Sequence, residues 1–157
     1  MTDLTQLLDP TRIACQHDAS SKKKTLESAA ALLATATHGI EEGAIFEALI
    51  KRERLGSTGL GHGIALPHGR IEGLQQPVAA LLTLSRSIGF DALDGEPVDI
   101  VFALAMPENC DNQHLQILAS LAEIFSNTAV STRLRSAVEA QEIWTTFCNW
   151  RDYAESA

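Results

Sequence analysis

A single α/β domain is the fold that this sequence predicts, on three observations. Two continuous apolar runs, residues 78–84 and 98–105, have strand length, and the second reads as buried on both faces. Segments before and after them space their apolar residues as helices do. Between the early helices and the first run lies L-G-S-T-G-L-G-H-G-I-A-L-P-H-G-R, residues 55–70. Four of its glycines (Gly56, Gly59, Gly61, Gly63) fall within eight residues and a fifth, Gly69, follows His68, which defeats regular structure. Strands alternating with helices, with no internal repeat and no interdomain linker, give one domain, and 157 residues suffice for one core.

In chain order, residues 1–10 read as a frayed end and 11–16 as a short strand with Ile13 and Cys15 facing inward. Ser20 or Ser21 can cap the next helix, whose face is Leu26, Ala29, Ala30, Leu33 and Ala36 and which Gly39 stops. Lys22, Lys23 and Lys24 oppose the macrodipole in its first turn; the run reads as a solvated face, with a functional role as the alternative. A second helix covers 42–54, with Ile45, Phe46, Leu49 and Ile50 on one face. It ends in Lys51-Arg52-Glu53-Arg54, cations that suit a helix C-terminus.

Ile64, Ala65 and Leu66 then form a short buried strand. Pro67 closes it, because proline keeps the preceding residue extended, and His68 is expected at the strand's end. A polar connection leads to Pro77. After the first apolar run, turn residues fill 85–97 around a short segment, 88–90, and Pro107 ends the second run. Asp111 or Asn112 can cap a helix with Leu115, Leu118, Leu121, Ala122 and Phe125 toward the core, which Asn127 breaks. Residues 128–138 and 140–150 read as two short helices, with Trp144 and Phe147 packed back on the core, and 151–157 as a second frayed end.

Composition narrows the function. A formal net charge of −8 argues against nucleic acid as a ligand, since phosphate backbones demand a positive face. No apolar run approaches the ~20 residues of a membrane helix, and the N-terminus lacks a signal peptide's basic-then-apolar plan. Cys15, Cys110 and Cys148 form no C-x-x-C pair, which reads as reduced thiols in a cytoplasmic protein.

The chemistry concentrates at His68. Imidazole has a reference pKa of ~6.5 and is largely neutral near pH 7, with a lone pair that can attack phosphorus without a separate base. The glycine loop lets backbone N–H groups, including those of Gly61 and Gly63, approach an anion, and the hydroxyls of Ser57 and Thr58 could add hydrogen bonds. A cation for the phosphoryl oxygens could be Arg52, Arg54 or Arg70, whose guanidinium forks match those oxygens. His114 falls in the first turn of a helix, where the helix field disfavours imidazolium; it is either a plain polar first-turn residue or a neutral donor beside an anion. His62 joins His68 and His114 as a conceivable zinc set, but their spacing fits no metal pattern. His17 and His38 read as exposed bystanders, and Asp94 and Asp99 as structural.

The segment R-E-R-L-G-S-T-G…G-I-A-L-P-H-G-R resembles the active-site segment of the enzyme IIA domains of the bacterial phosphoenolpyruvate-dependent phosphotransferase system, and within them the nitrogen-regulatory branch, related to mannitol and fructose IIA domains. F-D-A-L-D-G-E-P-V-D-I-V-F-A-L (residues 90–104) and H-L-Q-I-L-A from His114 resemble it too, so the likeness covers roughly residues 20–145. It implies a mixed β-sheet flanked by helices, a phosphoryl acceptor at His68, and active-site partners at Arg52 and His114. His62 departs from the small polar residue common at its position. The resemblance further implies a cytoplasmic regulatory phosphocarrier, charged by an HPr-like phosphoprotein without cofactor or metal, that acts on downstream regulatory proteins of nitrogen, carbon and potassium metabolism. The alternatives are a sugar-transport IIA that passes phosphate to a IIB protein, and an interaction module that is never phosphorylated.

Overall fold

The two apolar runs become the centre of one sheet. The computed structural model describes residues 4–109 and 111–155. β5 (Val78–Ile88) and β6 (Val98–Pro107) pair antiparallel, from Val78 opposite Ala105 to Ile88 opposite Val98. β1 (Ile13–His17) lies parallel to β5 on one side. On the other side, β3 (Ile64–Ala65) and β4 (His68–Ile71) both run parallel to β6, and β2 (Gly59–Gly61) pairs antiparallel with β3 at the edge. The sheet is thus mixed, and helices cover both faces.

β6 shows why its sequence is apolar without alternation. Successive side chains point to opposite faces. Ile100, Phe102, Leu104 and Met106 enter one core with α3 (Asp111–Ser126), α4 (Thr128–Ser136) and α5 (Ala140–Cys148). Phe102, Phe125 and Phe147 form its aromatic centre, with ring centroids 5.4, 5.5 and 6.3 Å apart. Val101, Ala103 and Ala105 enter a second core with α1 (Lys22–Ala34) and α2 (Glu42–Leu55).

Several expectations need correction. His68 does not end a strand; it opens one. Ile64 sits opposite Ile100 and His68 opposite Leu104, a constant offset, so β3 and β4 are one line along β6 interrupted at Leu66-Pro67. Proline has no N–H for the ladder, though its carbonyl still accepts from the Leu104 N–H at 2.9 Å. β5 continues through Ile88, past the turn expected from residue 85, with a register shift after Thr83. α1 ends at Ala34, before Gly39, as Thr35 turns its hydroxyl back to the Leu32 carbonyl at 2.7 Å. Of the two serines, Ser21 is the cap, accepting from the Lys24 N–H.

The α3 stripe is also rotated. Ile117, Leu121, Ile124 and Phe125 face the core, while Leu115 is 66% exposed. A polar residue, His114, opens the buried stripe, which a search for apolar residues skips. α3 already includes Asp111 and Asn112, so neither precedes it; Cys110 and the Asp111 side chain lie outside the described residues. Neither end is frayed where described. Leu7 and Leu8 are buried, the Leu7 carbonyl accepting from the Ala79 N–H at 2.8 Å. Residues 150–155 form α6 (Trp150–Glu155), whose Trp150, Tyr153 and Ala154 pack on the first core.

α2 and β4 bring the chemistry together. A β-carbon at Gly69 would lie 3.0 Å from the Ala48 carbonyl oxygen, so the helix lies flush on the strand. Arg52 follows Ala48 by one turn on the same face, next to His68.

Candidate functional site

His68 is half-buried, and its Nδ1 lies 2.8 Å from the Leu66 carbonyl oxygen. A carbonyl only accepts, so Nδ1 carries the proton and Nε2 keeps the lone pair. Burial pushes the His68 pKa below its ordinary 6.5. The Leu66 carbonyl raises it in part, the Arg52 charge lowers it, and the Glu53 carboxylate raises it. The ring is therefore biased toward its neutral form, with the lone pair on Nε2.

Its titration is expected to turn over below pH 6.5. Between the folded midpoint and 6.5 the unfolded chain then binds more protons than the folded one. Stability should rise with pH through that window and fall as the pH drops through it. Histidine NMR titration beside melts from pH 5 to 8 checks both; a midpoint at or above 6.5 would remove burial as the leading influence.

His68 opens on a groove of about 990 Å³, also lined by Arg52, Arg54, Arg70 and His114. His114, buried in the first turn of α3, places its ring centroid 5.2 Å from that of His68. The three arginines are distinguishable. Arg52 is half-buried, donates from Nη1 to the Gly56 carbonyl at 2.8 Å, and is the arginine whose charge is felt at His68. Arg54 is exposed, and Arg70 is exposed with Nη1 reaching the Glu108 carbonyl at 3.2 Å. The structure thus brings His68, Arg52 and His114 to one groove.

Ser57, Thr58, Gly61 and Gly63 do not join them. The Ser57 hydroxyl donates to the Phe90 carbonyl at 2.8 Å, and the buried Thr58 hydroxyl donates to Glu53. Gly61 lies opposite Ile64, hence level with Ile100, four residues from the level of His68, or ~13 Å along the strand. The glycines serve packing. A β-carbon at Gly63, where φ is +83°, would lie 2.6 Å from Arg135 Nη2 and 2.9 Å from Asp99 Oδ1. Arg135 Nε donates to both Asp99 oxygens, at 2.9 and 3.0 Å. Asp94 accepts from the His62 and Glu96 N–H groups, so both aspartates are structural as expected. His62 is exposed, as is His38, but His17 is half-buried against the Ser28 hydroxyl at 2.9 Å.

Lys22 departs from the solvated-face reading: its Nζ lies 2.8 Å from Glu53 Oε2. The buried Glu53 was missed altogether. The signal was available, since Ile45, Leu49 and Glu53 recur every four residues and the first two are buried.

Comparison with known proteins identifies the family. Residues 6–150 match the family described as "Phosphoenolpyruvate-dependent sugar phosphotransferase system, EIIA 2". The chain belongs to that family. This EIIA 2 domain is 43% identical over 144 residues to a nitrogen regulatory protein of Pseudomonas aeruginosa, covering 92% of this chain and 94% of that one. It is 42% identical to a nitrogen regulatory protein homolog of Haemophilus influenzae, covering 92% and 90%. The crystal structure of nitrogen regulatory protein IIA-Ntr from Neisseria meningitidis superposes with a TM-score of 0.86 at 37% identity, covering 90% of this chain and 97% of that one. IIA mannitol of Escherichia coli, at 22% identity, shares the fold with a TM-score of 0.75, covering 88% and 96%. The resemblance read from residues 52–70, 90–104 and 114–119 is borne out. Among the described residues, no helix of this EIIA 2 domain is long and apolar enough to cross a membrane.

Proposed function

We propose that this EIIA 2 protein is a regulatory phosphocarrier that takes a phosphoryl group onto Nε2 of His68. The observation that carries the reading is the Nδ1 hydrogen bond to Leu66, which leaves Nε2 as the nitrogen with the lone pair. The donor is an HPr-like phosphoprotein. The Nε2 lone pair forms a bond to phosphorus while the donor's P–N bond breaks, its electron pair returning to the donor imidazole. Transfer of this kind is mainly positioning and stabilisation of charge on the equatorial oxygens. Arg52 supplies a fork for those oxygens and His114 a neighbouring ring. The reaction calls for no cofactor.

The product gains roughly −2 charge at one spot. That change beside Arg52 alters which partner the groove accepts. The names of the relatives support a regulatory output, and we place it in the cytoplasm, acting on regulatory proteins of nitrogen, carbon and potassium metabolism. The test is incubation with phosphoenolpyruvate and the upstream relay proteins, followed by intact-mass measurement. The expected result is a gain of one phosphoryl group that is acid-labile and base-stable. No gain would leave an interaction module. Fast, productive transfer onward to a IIB protein would reassign the chain to sugar uptake.

A further inference from the structure

Behind His68 and its bond to Leu66 runs a line of hydrogen bonds whose earlier links, from Lys22 to Thr58, the phosphocarrier reading does not use. Lys22 Nζ pairs with Glu53 Oε2 at 2.8 Å and also donates to the Phe90 carbonyl at 3.3 Å. Glu53, its side chain 4% exposed, accepts from both the hydroxyl and the N–H of Thr58, the latter at 3.2 Å. The Thr58 carbonyl accepts from the Leu66 N–H at 3.0 Å. The Leu66 carbonyl accepts from His68 Nδ1–H at 2.8 Å.

Geometry makes this line more than a list. Leu66 precedes proline, which confines it to extended backbone. Once its N–H is tied to Thr58, little freedom remains in where its carbonyl points. Pro67 is anchored on the far side by the Leu104 N–H. Glu53 is the fixed point behind Thr58. It is a carboxylate with almost no solvent contact, and such a group persists only when paired and hydrogen-bonded. Lys22 supplies the pairing charge, which accounts for a lysine in the first turn of α1, where the helix field opposes it.

We propose that Glu53 and Thr58 are positioning residues: through the Leu66 carbonyl they hold His68 as its Nδ1–H tautomer, with Nε2 presented for transfer. Neither touches the reacting atoms. The inference rests on the phosphocarrier reading for its consequence, but its structural content concerns His68 before any transfer.

Nitrogen-15 NMR of the His68 ring, in full-length protein at a pH where it is neutral, reads the tautomer directly. Thr58→Val and Glu53→Gln are expected to raise the share of the Nε2–H form. Phosphoryl uptake should fall by roughly tenfold, within the ~10²-fold that a 1 Å misplacement can cost. Thr58→Ser, which keeps the hydroxyl, is expected to restore both readings. Melting temperature is measured alongside, since a merely structural role would lower it and leave the ring's nitrogen shifts unchanged. Wild-type shifts in Thr58→Val overturn the proposal, whether or not Glu53→Gln folds. Slower uptake with unchanged shifts overturns it too, because the two residues would then act elsewhere. If the wild-type chain takes up no phosphoryl group, the phosphocarrier reading fails, and the tautomer measurement still decides the positioning role.

Discussion

Replacing His68 with alanine is expected to abolish phosphoryl uptake outright. The wild-type gain of one phosphoryl mass should vanish under identical relay conditions. The substitution removes the half-buried ring and its Nδ1 bond to Leu66, and a hydrogen bond of that kind contributes only about 1 kcal/mol net. The variant should therefore fold, and a melting curve near the wild type's would show that the lost mass is chemical in origin. His68→Gln refines the test, since it keeps amide donors near the Leu66 carbonyl but has no nucleophilic nitrogen; it should be equally inert. Residual acid-labile label in His68→Ala would move the acceptor elsewhere. His114 would then be the first place to look, with its ring 5.2 Å from that of His68.

Arg52→Ala is expected to slow transfer by roughly 10²–10³-fold, the loss seen when one donor to developing negative charge is removed from a protected site. The basis is its half-buried place in the groove and the effect of its charge on His68. Arg52→Lys should recover part of the rate, because an ammonium keeps the charge but loses the two-pronged geometry. Arg54→Ala and Arg70→Ala remove exposed guanidiniums from the same groove and serve as controls of equal charge change. Arg52 also holds the Gly56 carbonyl at the end of α2, and a cation there is worth about 0.3–1 kcal/mol, so a small drop in melting temperature is expected. Stopped-flow or quenched labelling against an HPr-like donor separates the variants. A wild-type rate in Arg52→Ala, with slow transfer in one of the controls, would hand the role to that control.

What could be read from the chain follows physical range. β6 was legible because a strand buried on both faces leaves a continuous apolar signature. His68 was legible because a histidine between proline and glycine beside a glycine-rich loop is unusual locally, and the resemblance sharpened it. The groove trio followed from motif positions. The glycine loop was misread, because what crowds Gly61 and Gly63 is Asp94, Asp99 and Arg135, the last of them 72 residues beyond Gly63. No local pattern encodes that crowding. The N-terminal Leu7 and Leu8 were misread for the same reason, since their shelter depends on β5. α3 failed differently: its buried stripe starts with a histidine, His114, that lines the groove, and hydrophobic periodicity cannot see a polar residue in an apolar place.

The seam at Gly69 has a consequence for encounter with a partner. Because the strand bearing the imidazole and the helix bearing the guanidinium meet so closely that a β-carbon at Gly69 would lie 3.0 Å from the Ala48 carbonyl oxygen, their separation is set by two regular elements and not by a loop. An approaching phosphoprotein thus finds its landing platform already built, and association can proceed as a near rigid-body event in which side chains turn but the backbone stays where it is.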